Sequence, residues 1–96
     1  MYRRSTPPNR AMLFFMPGGD QLRSFWMKNT LVALDIIYIN ATNDVVSIQA
    51  NAEPLSTKSL PSAAPASYVL EVLGGQAAAQ GITVGTKIYW SPVGAE

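Results

Sequence analysis

Apolar and polar residues alternate along this chain in short blocks, and none has the length and period of a long amphipathic helix. The segment "AMLFFMPGGDQLRSFWM" reads as strand, turn, strand. Pro17 suits the first central position of a type II turn, and Gly18 can take the positive φ required next. A hairpin turn is therefore the reading of this glycine pair. A phosphate-cradling loop would need a lysine and a Ser/Thr at a following helix start, and neither is there. Leu34 to Ile39 is apolar on both faces except for Asp35, the pattern of a central strand. "NATND" supplies turn chemistry, and "VVSIQAN" alternates, with Val46, Ile48 and Ala50 on one face and Val45, Ser47, Gln49 and Asn51 on the other. The two strands should form a hairpin. Asn40-Ala41-Thr42 matches a glycosylation sequon, but at a turn the local backbone hydrogen bonding of Asn is the stronger reading.

"AEPLSTKSLPSAAPAS" has three prolines among small polar residues and reads as a long irregular loop, a kind of segment that is often functional. "YVLEVL" predicts a strand with Glu71 set among apolar neighbours. "GGQAAAQGI" predicts one short helix: the alanines favour it, Gly81 suits the left-handed position after its end, and Ile82 can pack just beyond. "TKIYW" predicts a last strand after the turn "TVG". No internal repeat or heptad is visible. The sum is a mainly β (α+β) domain, a small rolled sheet or β-barrel-like fold with one short helix. At 96 residues it is a single domain spanning 1–96.

Composition sharpens this picture through what is scarce. Charged residues make up 14% of the chain, against about 25% in ordinary domains, so a charge inside an apolar run asks for a reason. Net charge is +1 and the seven basic residues are scattered, which offers no field for a phosphate backbone and argues against nucleic acid as a partner. With no cysteine and no histidine, the sequence excludes disulfides, thiolate nucleophiles, Cys/His zinc sites and Ser-His triads, and it calls for no cofactor or metal. No apolar run approaches the roughly 18 residues of a transmembrane helix. "MYRRSTPPNR" lacks the apolar stretch of a signal peptide, so the chain as it stands reads as cytoplasmic.

The strings "MYR", "MLFFM", "FWMKNTLVALDIIYI", "PSAAPASYVLEVLGG" and "QGITVGTKI" together resemble the widespread prokaryotic family known as domain of unknown function 192. The resemblance covers nearly the whole chain. It implies a compact, mostly β domain with a short helix, in a family whose relatives often carry an export signal, and hence a periplasmic or exported location. It implies no activity. Two departures stand out: relatives usually have another β-strand ahead of the position of Met1, and they commonly have Asp where this chain has Thr86. A missing strand would leave an edge suited to homodimerisation.

Candidate chemistry concentrates in "SFWMKNTLVALDIIYI". A buried ammonium needs a carboxylate or several carbonyls. Asp35 and Glu71 are the two acids inside apolar strands, so they are the expected partners of Lys28 and Arg10. The bland expectation is a structural network, with Asn29 and Thr30 bonding the loop backbone and Asp35 anchoring it. The functional one is a ligand surface formed by Arg10, Trp26, Lys28, Asn29, Asp35 and Tyr68, for a small ligand, peptide or saccharide. The segment around Ser62 would lie over Trp26 to Thr30 as its lid. Catalysis ranks last, as a dyad of Lys28 with Ser62 or Ser24, or as an acid pair Asp35/Glu71. Most of the aromatics belong to the core, with Trp90 the most exposed. The sequence thus supports a small β-rich binding or interaction module, with a hydrolase-like enzyme as the alternative and a structural protein assembling through its strand edge as a third.

Overall fold

A computed structural model describes residues 11–89. Arg10, the N-terminal edge ahead of it and Trp90 lie outside the described residues. The strands are β1 (Met12–Phe15), β2 (Ser24–Phe25), β3 (Leu34–Ile39), β4 (Val45–Ala52), β5 (Leu60–Pro61) and β6 (Tyr68–Leu73), followed by one helix, α1 (Gln76–Ala79). The mainly β reading with a single short helix is correct. The strands form two sheets, an antiparallel four-stranded one in the order β1-β6-β3-β4 and a two-stranded one of β2 and β5, with no closed barrel among the described residues.

β3 is the central strand that its unbroken apolar sequence predicts, with all six of its residues buried between β6 and β4. Its faces serve two cores. Leu34, Ile36 and Tyr38 pack with Met27, Ala52, Ala66 and Val69 beneath β2 and β5. Ile37 and Ile39 pack with Val45 and Ala77 beneath α1 and the segment around Ile82 and Ile88. The β3–β4 hairpin forms as expected, and Asn40 closes its turn: its side-chain oxygen accepts from Thr42 N (3.1 Å), Thr42 Oγ1 (3.0 Å) and Asp44 N (2.9 Å). Register shifts interrupt the pairing, however, so the expected single face of Val46 and Ile48 is split. Val46 joins the first core and Ile48 the second.

Three expectations need correction. β1 and β2 do not form a hairpin across Pro17-Gly18-Gly19; β1 pairs with β6 and β2 with β5. Gly18 does have the positive φ (88°), but the turn is gripped from outside: Arg23 donates from Nη2 to Pro17 O and Gly19 O (both 2.6 Å) and from Nε to Ala66 O (2.9 Å). A guanidinium spent on three carbonyls locks the connection in an open path. The long loop is also less irregular than its prolines suggest, since it contains β5. Finally, of "TKIYW" the described residues 86–89 contribute only an isolated bridge, Asp44 to Lys87, rather than a strand. There Lys87 Nζ sits 2.9 Å from Asp44 Oδ1. The ammonium and the Thr42 hydroxyl hold the Asp44 carboxyl below its ordinary pKa.

The helix end follows its sequence closely. Gly81 (φ 73°) donates to Ala78 O at 3.1 Å and Ile82 N to Ala77 O at 2.8 Å, the paired bonds of a Schellman stop, with Ile82 packed on the second core.

Candidate functional site

Asp35 is almost fully buried, and its charge is held by backbone rather than by a lysine. Oδ1 accepts from Asn51 N (2.8 Å), while Oδ2 accepts from Gly75 N (3.0 Å) and Ala77 N (2.9 Å). Two of these donors are unbonded amides at the start of α1, where carboxylates are favoured. Both glycines before the helix are needed for this knot. Gly75 has φ 92°, and a Cβ on Gly74 would lie 2.6 Å from Asn51 Oδ1. Asp35 therefore anchors α1 to β3 and β4.

The pairing register separates the candidate acids. Ile36 lies opposite Glu71, whereas Asp35 lies opposite Val72, so the carboxylates point to opposite faces of one sheet. Glu71 is fully buried on the face of the first core and Asp35 on that of the second. They do not border one cavity as an acid pair. Tyr68 also belongs to the second core, edge-on to Phe15 with ring centroids 5.3 Å apart.

Lys28 does not meet Asp35 either. It is exposed, and its Nζ lies 5.3 Å from the centroid of the Trp26 ring, within cation–π range. The alternation Phe25, Trp26, Met27, Lys28 explains the placement. Phe25 and Met27 turn into the first core, while Trp26 (49% exposed) and Lys28 face outward. After Lys28 the chain tightens, with Thr30 N bonded to Met27 O at 3.1 Å. The loop is then laced to the segment after β4: Met27 N donates to Ser56 O and Leu55 N to Thr30 O, both at 3.0 Å. The lid expectation thus becomes a lateral contact, with residues 55–61 running beside the Trp26 loop.

Among the described residues Lys28 has no carboxylate partner, and the Asn29 carboxamide makes no hydrogen bond. The expected bond from Asn29 to the loop backbone is absent among the described residues. Thr30 differs from expectation as well: it is fully buried, and its Oγ1 has no hydrogen-bond partner among the described residues. A buried hydroxyl without a partner costs about 1–3 kcal/mol. Thr30→Val keeps the shape and removes that cost, so urea unfolding should show stability unchanged or raised by about 1 kcal/mol. A loss of more than about 1 kcal/mol would mean that the hydroxyl supports the loop.

Ser62 is buried and tied to β2's approach: its Oγ accepts from Arg23 N (2.8 Å), and its N donates to Arg23 O (2.7 Å). Ser24 hydrogen-bonds Ser59 at the surface. Sequence reasoning missed Arg23 as an organiser and Leu31, Val32 and Leu55 as parts of the Trp26 surface. These three are 49%, 38% and 56% exposed, large apolar groups clustered about one loop. Their signal was faint, an apolar run directly after "KNT" and a leucine after Pro54. Two clefts, of about 270 and 320 Å³, flank α1 on the second-core face, and neither is lined by Trp26 or Lys28.

Known proteins agree with this architecture. A protein of unknown function from Novosphingobium aromaticivorans DSM 12444 superposes with a TM-score of 0.84 at 39% identity, over 94% of this chain and 64% of that one. A Sinorhizobium meliloti 1021 protein described as a candidate transcription regulator superposes with a TM-score of 0.81 at 34% identity, over 91% of this chain and 67% of that one. The chain therefore spans about two thirds of the length of both. No curated protein matches it. The lysine-bearing loop, the central β3 and the glycine pair before α1 all fall within residues 1–90, over which the chain matches the model of DUF192, described as Uncharacterized ACR, and it belongs to that family.

Proposed function

We propose that this domain is a binding module that works through the outward face of the Trp26–Val32 loop with Leu55, taking a partner that joins an apolar body to a carboxylate. One observation carries the reading. Among the described residues the Lys28 ammonium meets only the ring of half-exposed Trp26 and no carboxylate, and the Asn29 carboxamide makes no hydrogen bond. A small domain that needs its apolar area for its core instead leaves Trp26, Leu31 and Val32 of this loop well exposed, with exposed Leu55 bonded through its backbone to Thr30. The enzyme alternative has less support, because Asp35 is held by three amides and lies on the sheet face opposite Glu71, and Ser62 Oγ is engaged by Arg23. The description of the Sinorhizobium relative would suggest DNA. Of the four described cations, however, Arg23 is committed to carbonyls and Lys87 to Asp44, and the two that remain, Lys28 and Lys58, are too few to make a basic stripe.

The test uses a Trp90→Phe background, so that emission reports Trp26 alone. A peptide of alternating Glu and Leu should shift that emission, and a Lys/Leu peptide should not. Lys28→Met, altering an exposed side chain, should remain folded by circular dichroism and lose the response. An undiminished response in that variant would sink the proposal.

A further inference from the structure

We infer that the cleft of about 320 Å³ between α1 and β4 is a binding site for a small organic ammonium ion with a short aliphatic chain. The site begins with an irregularity in the β3–β4 ladder. Leu34 pairs with Ala52 and Ile36 with Gln49, so Asp35 faces two residues, Ala50 and Asn51, rather than one. A bulge of this kind re-aims the groups around it and is common beside functional sites. Here Asn51 takes φ 52° and turns its N–H onto Asp35 Oδ1 (2.8 Å). Gly75, with φ 92°, turns its own onto Oδ2 (3.0 Å). Asp35, Asn51 and Gly75 all line the cleft.

Charge complementarity names the occupant. Asp35 is the one charged residue in the cleft wall among the described residues, and it is almost fully buried with no ion pair. An ionised carboxylate offers about four lone-pair positions, and its three amides leave one. Amides ease the burial of the charge without cancelling it, so the field in the cleft is that of an anion. The Asn51 carboxamide, exposed and without a hydrogen bond among the described residues, adds an acceptor for a second ammonium proton. The remaining wall includes Ile48, Ala77, Ile82 and Val84, an apolar surface suited to a carbon chain. The neighbouring cleft of about 270 Å³ has no charged residue in its described wall, and its side-chain polar groups are the carboxamides of Gln76 and Gln80. An anionic ligand would be repelled by Asp35, and an alcohol would forgo its attraction. The site shares no lining residue with the Trp26 surface, so either can fail without the other.

Amide NMR of the whole chain tests the site with n-butylammonium chloride, sodium butyrate and n-butanol as probes. The N–H signals of Asn51, Gly75 and Ala77 should move saturably with butylammonium, with a midpoint of about 1–10 mM, within reach of so small a ligand. Butyrate and butanol should bind at least about tenfold more weakly. Asp35→Asn, held at a temperature where circular dichroism shows it folded, should weaken butylammonium binding at least about tenfold. Ala78→Leu alters an exposed residue of α1 and adds bulk to the cleft while keeping Asp35, so the fold should stand and binding should again fall about tenfold. Three outcomes overturn the inference: no saturable shift with butylammonium, equal binding of butyrate or butanol, or undiminished binding in folded Asp35→Asn or Ala78→Leu.

Discussion

Asp35→Ala should lower the unfolding free energy by about 3–4 kcal/mol, far more than a surface substitution costs. Hydrogen bonds to an ionised carboxylate are worth roughly 1.5–3 kcal/mol, and this one accepts three. Alanine removes the acceptor but leaves the donors in place, and Ala77 N sits where water reaches poorly, since Ala77 is buried. Partial hydration of the other two amides keeps the total below the simple sum. A domain of this size has about 5–14 kcal/mol of stability, so the melting temperature should fall by roughly 15–25 °C. Asp35→Asn is the sharper comparison. It conserves volume, but it offers one acceptor oxygen and turns an NH₂ toward a backbone N–H, so it too should destabilise, by about 2 kcal/mol. Hydrogen exchange adds the spatial prediction that Ala77 and Gly75 lose protection first, because α1 is too short to hold without the anchor. A change below about 1 kcal/mol for Asp35→Ala would show that the knot is dispensable.

Asp35 also shows where a sequence stops speaking. An acid inside an apolar strand announces that something must satisfy it, and that much was legible. The natural candidates by residue identity were Lys28 and Arg10. The described partners are the amides of Asn51, Gly75 and Ala77, which every residue but proline carries and no side-chain pattern advertises. Glu71 illustrates a second limit. Both acids read correctly as strand residues, yet whether they share a face depends on a register in which Ile36, not Asp35, lies opposite Glu71. A slip of one position would reverse the answer. The glycine turn at Pro17 marks a third. Local chemistry specified the backbone angle at Gly18, while the path beyond it was decided by Arg23 bonding Ala66, far along the chain. Elements set by local pattern, such as β3, the β3–β4 turn and the Schellman end of α1, were readable. Those set by a distant partner were not.

The alternation in "FWMK" joins stability to the proposed surface, and Met27→Ala tests that link. Met27 has no exposed area, packs with Leu34, Ile36 and Tyr38, and sits between the two outward residues Trp26 and Lys28. Its truncation opens a cavity and should lower stability by about 2–4 kcal/mol in urea unfolding. Its backbone also donates to Ser56 O and accepts from Thr30 N, so loss of the side chain loosens the lacing that holds Leu55 beside the loop. The variant should therefore lose the response of Trp26 to the Glu/Leu peptide, even at temperatures where it is fully folded. Met27→Leu conserves volume and should cost less than about 1.5 kcal/mol while keeping the response. Core packing of Met27 is then the cause of the geometry that presents Trp26 and Lys28. A folded Met27→Ala protein that bound the peptide as the wild type does would separate the two, and would show the surface to be fixed by Ser56 and Thr30 alone.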